Sequence, residues 1–66
     1  MDKTVADRLK KAHADHPDAV FTLFTLAGHA ISGRIAALGE MVVLEAGKEK
    51  AEVPQERVES FSLRQP

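Results

Sequence analysis

The hydrophobic positions of residues 3–15 recur at helical spacing, whereas those of the rest of the chain follow the shorter periods of strands. The apolar stripe of this first segment consists of Val5, Leu9 and Ala12. Asp2 or Thr4 can cap the N-terminus of the helix, and Pro17 ends it because the residue before a proline is pushed out of the α region. The stripe is narrow, so we predict that the helix lies across one face of a sheet and does not sit inside a core.

A strand with apolar residues on both faces is predicted over residues 19–27, which are rich in aromatic and β-branched side chains. Alternation divides its side chains into two sets, Phe21, Leu23 and Thr25 on one face and Val20, Thr22, Phe24 and Leu26 on the other. We therefore expect this strand to be covered twice, by the core on one side and by the helix or a neighbouring subunit on the other.

The stretch from Leu26 to Leu44 predicts two further strands on either side of a corner. Gly28 marks a tight turn into the first of them. Gly33 marks a sharp bend, because a residue without Cβ tolerates the curvature of a barrel wall. Residues 38–40 then break the apolar pattern, and residues 41–44 resume it as a buried segment.

The remaining residues predict a fourth and a fifth strand. A hairpin turn at residues 46–48 leads into a strand that Pro54 ends, since proline cannot continue a hydrogen-bonded ladder. Residues 57–63 form the last strand, with Val58 and Phe61 facing inward.

Together these elements predict one mostly β domain over residues 1–66. It has an N-terminal α-helix at about residues 3–15, followed by a five-stranded, strongly bent SH3-like barrel at about residues 19–63. An open barrel of this kind leaves its last two strands with unpaired edges. Joining the fourth strand of one copy to the fifth of the next is a heterologous contact that can close into a ring. Because so short a chain has a small core, such a ring would supply the missing burial.

Composition and charge narrow the classes of function. The chain has no cysteine, which excludes disulfides and thiolate metal sites and fits a reducing compartment. We find no apolar run long enough for a membrane span and no signal peptide, so we expect a cytoplasmic protein. A formal net charge of -1 provides no global positive field for a polyanion, and three phenylalanines offer few platforms for stacking on bases.

Neither catalysis nor a cofactor is expected. The serines lack a nucleophile elbow, and no phosphate-cradling glycine loop is present. His13 and His16 lie near Asp15 and Asp18, but His16 sits beside Pro17 at the helix end and no further ligands cluster with them. We therefore predict no enzyme, no metal site and no cofactor.

Short motifs follow one another in the middle of the chain, LAG at residues 26–28, ISGRI at residues 31–35 and LGEMVVL at residues 38–44. In this order they resemble the Sm-like (LSm) family, in particular its Hfq-type bacterial RNA chaperones. At these places the family has Asn-Gly, Leu-Gln-Gly-Gln-Ile and Phe-Asp-Gln-Phe followed by apolar residues. The resemblance runs without a gap from Gly28 to Phe61. It implies an Sm-like barrel, a homo-oligomeric ring of about five to seven copies, and binding of single-stranded RNA.

The resemblance also implies three RNA-binding surfaces. The pore face corresponds to Leu38, Gly39, Met41, Pro54, Gln55 and Glu56. The opposite face corresponds to Phe24, Gly28, His29, Ala30, Ile31 and Ser32. The rim corresponds to Lys10 and Lys11, where the Hfq type has a pair of arginines.

The pore face departs from the pattern of the family. The Hfq type has Tyr-Lys-His where this chain has Pro54, Gln55 and Glu56. An aromatic ring that can stack on a base and two cationic groups are therefore replaced, and Glu56 would repel phosphate. Met41 replaces an aromatic residue, and Gly39 replaces an aspartate. These changes weaken the case for uridine recognition on this face. On the rim, lysines keep the charge of the arginine pair but lose its bidentate phosphate geometry.

Most of these residues also have a purely structural explanation. Phe24 can pack under the helix or at a contact between subunits, and His29 can be a solvated turn residue. Lys10 and Lys11 can form the solvated face of the helix. Residues 55–56 can serve only to close the turn before the last strand.

We expect a homo-oligomeric ring that binds RNA through one face and the rim, with several weak contacts adding up to useful affinity. The first alternative is a ring that has lost RNA binding and serves as an assembly or protein-interaction module. A second alternative is a monomeric SH3-like adaptor for peptides, which the few aromatic residues disfavour.

Overall fold

The computed structural model describes residues 3–64 and consists of an N-terminal helix followed by a five-stranded antiparallel sheet. The elements in chain order are α1 (Lys3–Asp15), β1 (Val20–Thr25), β2 (Ala30–Leu38), β3 (Met41–Ala46), β4 (Glu49–Pro54), a 3₁₀ turn (Gln55–Arg57) and β5 (Val58–Arg64). The helix has the predicted bounds, and every predicted strand is present, although β1 is shorter than residues 19–27. The proposed cap at Asp2 lies outside the described residues. No helix within residues 3–64 is long and apolar enough to cross a membrane.

The strands lie in the order β4-β3-β2-β1-β5, with each neighbouring pair antiparallel. All four links between sequential strands are short, and a glycine with positive φ is present in the turns before β2 and before β4, Gly28 at 86° and Gly47 at 64°. Only β5 is out of sequence, because the chain returns after β4 to pair with β1. As the sequence predicts, the last two strands therefore form the two edges of the sheet.

The core lies between the inner face of the sheet and the helix. It consists of Leu9, Ala19, Phe21, Leu23, Ile35, Val42, Leu44, Val53 and Val58. The ring of His13 packs edge-on against Phe21 with centroids 6.3 Å apart, and the centroid of the Phe61 ring lies 6.2 Å from that of Phe21. Leu9 is completely buried, so the helix that lies on this face contributes one side chain to the core while most of its other residues stay at the surface. The narrow apolar stripe of the helix is sufficient to complete the core, because so small a sheet needs only one large helical side chain to fill its open side.

The two faces of β1 are in different environments. Phe21, Leu23 and Thr25 face the core and are buried, as predicted. On the other face Phe24 is 40% exposed, and Leu26 just beyond the strand is 66% exposed. The helix packs on the Phe21 side, so the prediction that the helix covers the second face is wrong, and cover by a neighbouring subunit stays a prediction. In the part of a single copy that the structure describes, only one face of this strand is covered.

Gly33 is the residue that allows β2 and β3 to pack closely. A Cβ built on it would lie 2.7 Å from the carbonyl oxygen of Glu45, which is closer than a carbon side chain can approach. The register of the same strand pair shifts between Ile35 and Ala37, as a β-bulge produces, and such a bulge bends a strand. The backbone of β3 therefore excludes a side chain at Gly33, and the register shift of this strand pair lies further along β2; the bend predicted at Gly33 itself stays a prediction.

We expect Gly33→Ala to lower the free energy of unfolding by about 1–3 kcal/mol, because the backbone of β3 must move to admit the methyl group. Gly39→Ala is the matched control, since a Cβ at that position meets no atom within 4 Å and its φ is not positive. Urea unfolding followed by circular dichroism measures both variants. An equal effect of the two substitutions would contradict the steric explanation.

Candidate nucleic-acid interface

The outward face of β1, β2 and β5 presents an aromatic ring beside rows of hydroxyl groups. Cross-strand pairing aligns Thr22 with Ser32 and Ser62, and Phe24 with Ala30 and Ser60. We call this surface the outer patch; its members are Thr22, Phe24, Ala30, Ser32, Ser60 and Ser62. The hydroxyl oxygens of Thr22 and Ser32 lie 2.8 Å apart and share a hydrogen bond.

Arginines extend the outer patch at the end away from Phe24. Arg64 is the cross-strand partner of Val20, one row beyond Thr22. Arg34 follows Ser32 by two residues on β2, so it lies on the same face of the sheet. Both arginines are exposed. The surface therefore combines an aromatic face that can stack on a base, hydroxyls that can donate or accept hydrogen bonds, and guanidinium groups that suit phosphate.

The turn after β1 is held by hydrogen bonds to Thr25. The backbone N–H of Gly28 donates to the carbonyl of Thr25 at 3.0 Å, and the N–H of Thr25 donates to the carbonyl of His29 at 2.9 Å. The N–H of His29 donates to Thr25 Oγ1 at 3.1 Å. The N–H of Leu26 donates to the carbonyl of Arg57 at 2.9 Å, which ties the same turn to the 3₁₀ turn. These bonds fix His29 at the end of the outer patch, next to the strand that carries Phe24.

The structure divides the residues predicted for the opposite face. Phe24, Ala30 and Ser32 point outward in adjacent rows. Ile31 pairs with Leu23 and packs against the core, so it lies on the inner side of the sheet, away from the other members. Gly28 and His29 belong to the turn. The sequence analysis missed the hydroxyl groups of β1 and β5, although the alternation of Ser60 and Ser62 in the last strand is a signal that could have identified them.

The residues predicted for the pore face lie at a different place, where β3, β4 and the 3₁₀ turn meet. A shallow cleft of about 530 Å³ is lined by Glu40, Met41, Pro54, Gln55 and Glu56. Met41 and Pro54 are cross-strand partners, and the N–H of Gln55 donates to the carbonyl of Glu40 at 2.8 Å. We call this the acidic cleft.

The acidic cleft contains four of the predicted pore-face residues and omits two. Leu38 pairs with Val42 and packs against the core, and Gly39 adjoins the cleft without lining it. The cleft also includes Glu40, which the sequence analysis missed because its contact with the 3₁₀ turn is made through the backbone. With carboxylates from Glu40 and Glu56, the cleft is a poor site for phosphate.

The lysines predicted for the rim are both exposed on α1, but they face different surroundings. A groove of about 430 Å³ between α1 and β5 is lined by Arg8, Lys11, Ala12, Asp15, His16, Phe61 and Leu63. Lys10 is not part of that lining. Within residues 3–64, no cluster of His, Cys, Asp and Glu side chains could hold a metal ion.

Comparisons of the whole chain with protein-family models, with curated proteins and with solved structures give no match.

We expect Thr25→Val to lower the free energy of unfolding by about 1 kcal/mol, because valine keeps the shape of the buried side chain but cannot accept the hydrogen bond from His29. Amide exchange at His29 should become faster as the turn loosens. Thr22→Val is the matched control on the same strand, since its hydroxyl is in an exposed pair and its loss should change stability by less than about 0.5 kcal/mol. Unchanged exchange at His29 in Thr25→Val would show that the side chain does not hold the turn.

Proposed function

We propose that this chain is a subunit of an Sm-like, Hfq-like homo-oligomeric ring that binds single-stranded RNA through the outer patch. The observation that carries the proposal is the strand order, in which the unlike strands β4 and β5 form the two edges. A helix followed by a closely packed, bulged antiparallel sheet of five strands is compatible with the SH3-like barrel that the resemblance implies.

Self-association follows from what a single copy leaves uncovered. Within residues 3–64, each edge strand has main-chain donors and acceptors that pair with one neighbouring strand only, and such edges are templates for another strand. Leu26, just beyond β1, is a large apolar side chain that is 66% exposed, and its burial would favour association. Pairing β4 of one copy with β5 of the next is a head-to-tail contact that each further copy can make in turn. The copies close into a ring when the rotation from one copy to the next is a whole fraction of a full turn.

The outer patch supports RNA binding by its chemistry. Stacking on Phe24 tolerates any base, the hydroxyls of Ser32 and Ser60 can bond to base edges or sugars, and Arg34 can neutralise a phosphate. With a net charge of -1, one copy offers only a weak contact. A ring presents the same contact several times at short distances, so a strand that spans several subunits gains affinity by multivalency.

The second candidate function is an assembly or protein-interaction ring that does not bind RNA. The acidic cleft favours it, because Glu40 and Glu56 occupy the surface that would line the pore if the ring forms as in the family. The two candidates share the ring and differ in whether the outer patch binds RNA, so affinity for oligonucleotides at low salt separates them.

We expect light scattering of the purified chain to give a mass that is a whole multiple of 7.2 kDa and is constant over micromolar concentrations. The physical reason is that heterologous pairing of β4 with β5 leaves no free edge once the ring has closed. A folded protein that remains at 7.2 kDa with both edges solvated would contradict the proposed ring.

We expect Phe24→Ala to weaken binding of a fluorescent oligoadenylate by about tenfold or more, because stacking on an aromatic ring contributes about 1–3 kcal/mol per base. Met41→Ala is the matched control, with the same 40% exposure at the acidic cleft, and should leave the affinity unchanged. Fluorescence anisotropy at two salt concentrations measures both. Equal losses in the two variants would contradict binding at the outer patch, and absence of wild-type binding at low salt would favour the second candidate.

A further inference from the structure

Two hollows adjoin on the outward face of the sheet, at the end of the outer patch away from Phe24. Their volumes are about 320 and 510 Å³, and both are lined by Val20 and Ser32. Arg64 lines the first hollow and Arg34 the second, so each half of this concave surface has its own cation. We call the surface the basic corner; its members are Val20, Thr22, Ser32, Arg34, Ser62 and Arg64.

The register of the sheet puts both arginines in one row across the strands. Arg64 pairs with Val20 on β1, and continuing the register of Phe21 with Gly33 places Arg34 on the other side of Val20. The Cα atoms of the two arginines are therefore two strand spacings apart, about 10 Å. Arginine side chains are long enough to span half of that distance, so the two guanidinium groups can approach one anion above Val20 from opposite sides.

A row of hydroxyl groups lies next to the arginines on the same face. Thr22 pairs with Ser32 on one side and with Ser62 on the other. The hydroxyls of Thr22 and Ser32 share one hydrogen bond, so the hydroxyl that accepts it still has its own hydrogen to donate. Ser62 is exposed and can donate as well. An anion held by the arginines therefore meets hydroxyl donors on the side towards Phe24.

The row of the arginines carries an excess of positive charge. Neither arginine forms an ion pair with another residue of the range 3–64. Glu45 is the cross-strand partner of Arg34, but its carboxylate lies 3.8 Å from the ammonium group of Lys50. Across the strands the row therefore holds three cations and one carboxylate, whose charge is partly compensated.

Other acidic residues do not cancel this charge. Glu52 belongs to a different row of the outward face, Glu49 alternates to the opposite face of β4, and Glu59 lies at the opposite end of β5. Asp18 is closer along the chain, two residues before Val20 in the turn that precedes β1. Even with Asp18 counted beside the carboxylate of the row, three cations leave the basic corner positive.

We propose that the basic corner binds a phosphate monoester, with the two guanidinium groups on its charged oxygens and the hydroxyl row donating to it. A monoester has three terminal oxygens and a charge of about −1.5 to −2 at pH 7, which matches two guanidinium groups. A diester of the nucleic-acid backbone has two terminal oxygens and a single charge, so it can satisfy only part of these donors. The proposal goes beyond RNA binding at Phe24, because it needs neither the ring nor a stacked base.

A phosphate monoester occurs both on small molecules, such as nucleotides and sugar phosphates, and at the phosphorylated end of an RNA strand. The arginine row and Phe24 are separated by four residues of β1, about 13 Å. A phosphate at the basic corner therefore leaves the stacking site free, and an RNA strand held there by its end can still place a base further along on Phe24.

The first experiment follows the amide NMR shifts of the hydroxyl row during titration with methyl phosphate and with dimethyl phosphate, at constant pH and low salt. We expect methyl phosphate to bind about tenfold more tightly than dimethyl phosphate. The double variant Arg34→Gln/Arg64→Gln should bind methyl phosphate at least about tenfold more weakly than wild type. The matched control, Arg8→Gln/Lys11→Gln, removes the same charge from exposed residues of α1 on the other side of the sheet and should match wild type.

Glu45→Gln tests the same site by a change in the opposite direction. It removes the carboxylate of the row and keeps the size of an exposed side chain, so methyl phosphate should bind about two- to threefold more tightly. Loss of folding cannot produce a gain in affinity, so this variant tests the site even if the arginine variant is unstable. Unchanged or weaker binding in Glu45→Gln would contradict an anion held in this row.

Oligoadenylates with a 5′-phosphate, a 3′-phosphate or only hydroxyl ends identify the source of the monoester. If a phosphorylated end raises the affinity severalfold in wild type but not in Arg34→Gln/Arg64→Gln, the basic corner holds an RNA end. If the end group has no effect while methyl phosphate binds as expected, the monoester belongs to a small molecule. Both results support the phosphate site.

Other results overturn the proposal. Equal affinity for methyl phosphate and dimethyl phosphate would show a surface that does not distinguish a monoester from a diester. Binding that survives Arg34→Gln/Arg64→Gln, or that the helix variant weakens equally, places the site elsewhere. A wild type that binds oligoadenylate through Phe24 but no methyl phosphate overturns this inference and leaves the proposed function standing. A wild type that binds methyl phosphate at the corner but no oligoadenylate supports the inference without the proposed function.

Discussion

The close approach of β3 to the backbone of Gly33 is the contact on which the rest of the molecule depends. Five short strands can enclose a core of this size only if adjacent strands come close enough to curve, and a side chain at this position would hold them apart. With the strands this close, Phe21 and Leu44 are buried at the centre of the inner face, and one helical side chain, Leu9, fills the opening that remains. The core and the placement of the helix therefore both depend on the close approach at Gly33.

Local sequence signals predicted most of the secondary structure. The helix bounds followed from a regular stripe and a proline, and the turns at Gly28 and Gly47 followed from the residue type that accepts positive φ. Local signals do not predict the strand order beyond neighbouring hairpins, because nothing in residues 58–64 alone shows that they pair with β1. The expectation that β5 would be an edge strand came from the fold class, and the sheet topology agrees with it.

The candidate surfaces were harder to predict than the fold. The family resemblance groups Ile31 with Phe24 and Ser32, yet alternation along β2 sends Ile31 to the core. Glu40 was missed because its place in the acidic cleft depends on a backbone hydrogen bond with Gln55. The pattern of side chains along the sequence does not predict such a bond. The separate environments of Lys10 and Lys11 depend on where the helix lies relative to β5, which is a tertiary property. For Glu40 and the two lysines, the missing information was a contact between segments distant along the chain.

The 3₁₀ turn at Gln55–Arg57 is bonded on both sides, through Gln55 to the carbonyl of Glu40 and through the carbonyl of Arg57 to Leu26. An inserted or deleted residue there would break both bonds and shift the start of β5 relative to β1. The hairpin at Gly47 and Lys48 is exposed, and none of the interstrand turn bonds described above involves it. Changes in chain length during evolution should therefore accumulate at that hairpin, while the segment between β4 and β5 keeps its number of residues.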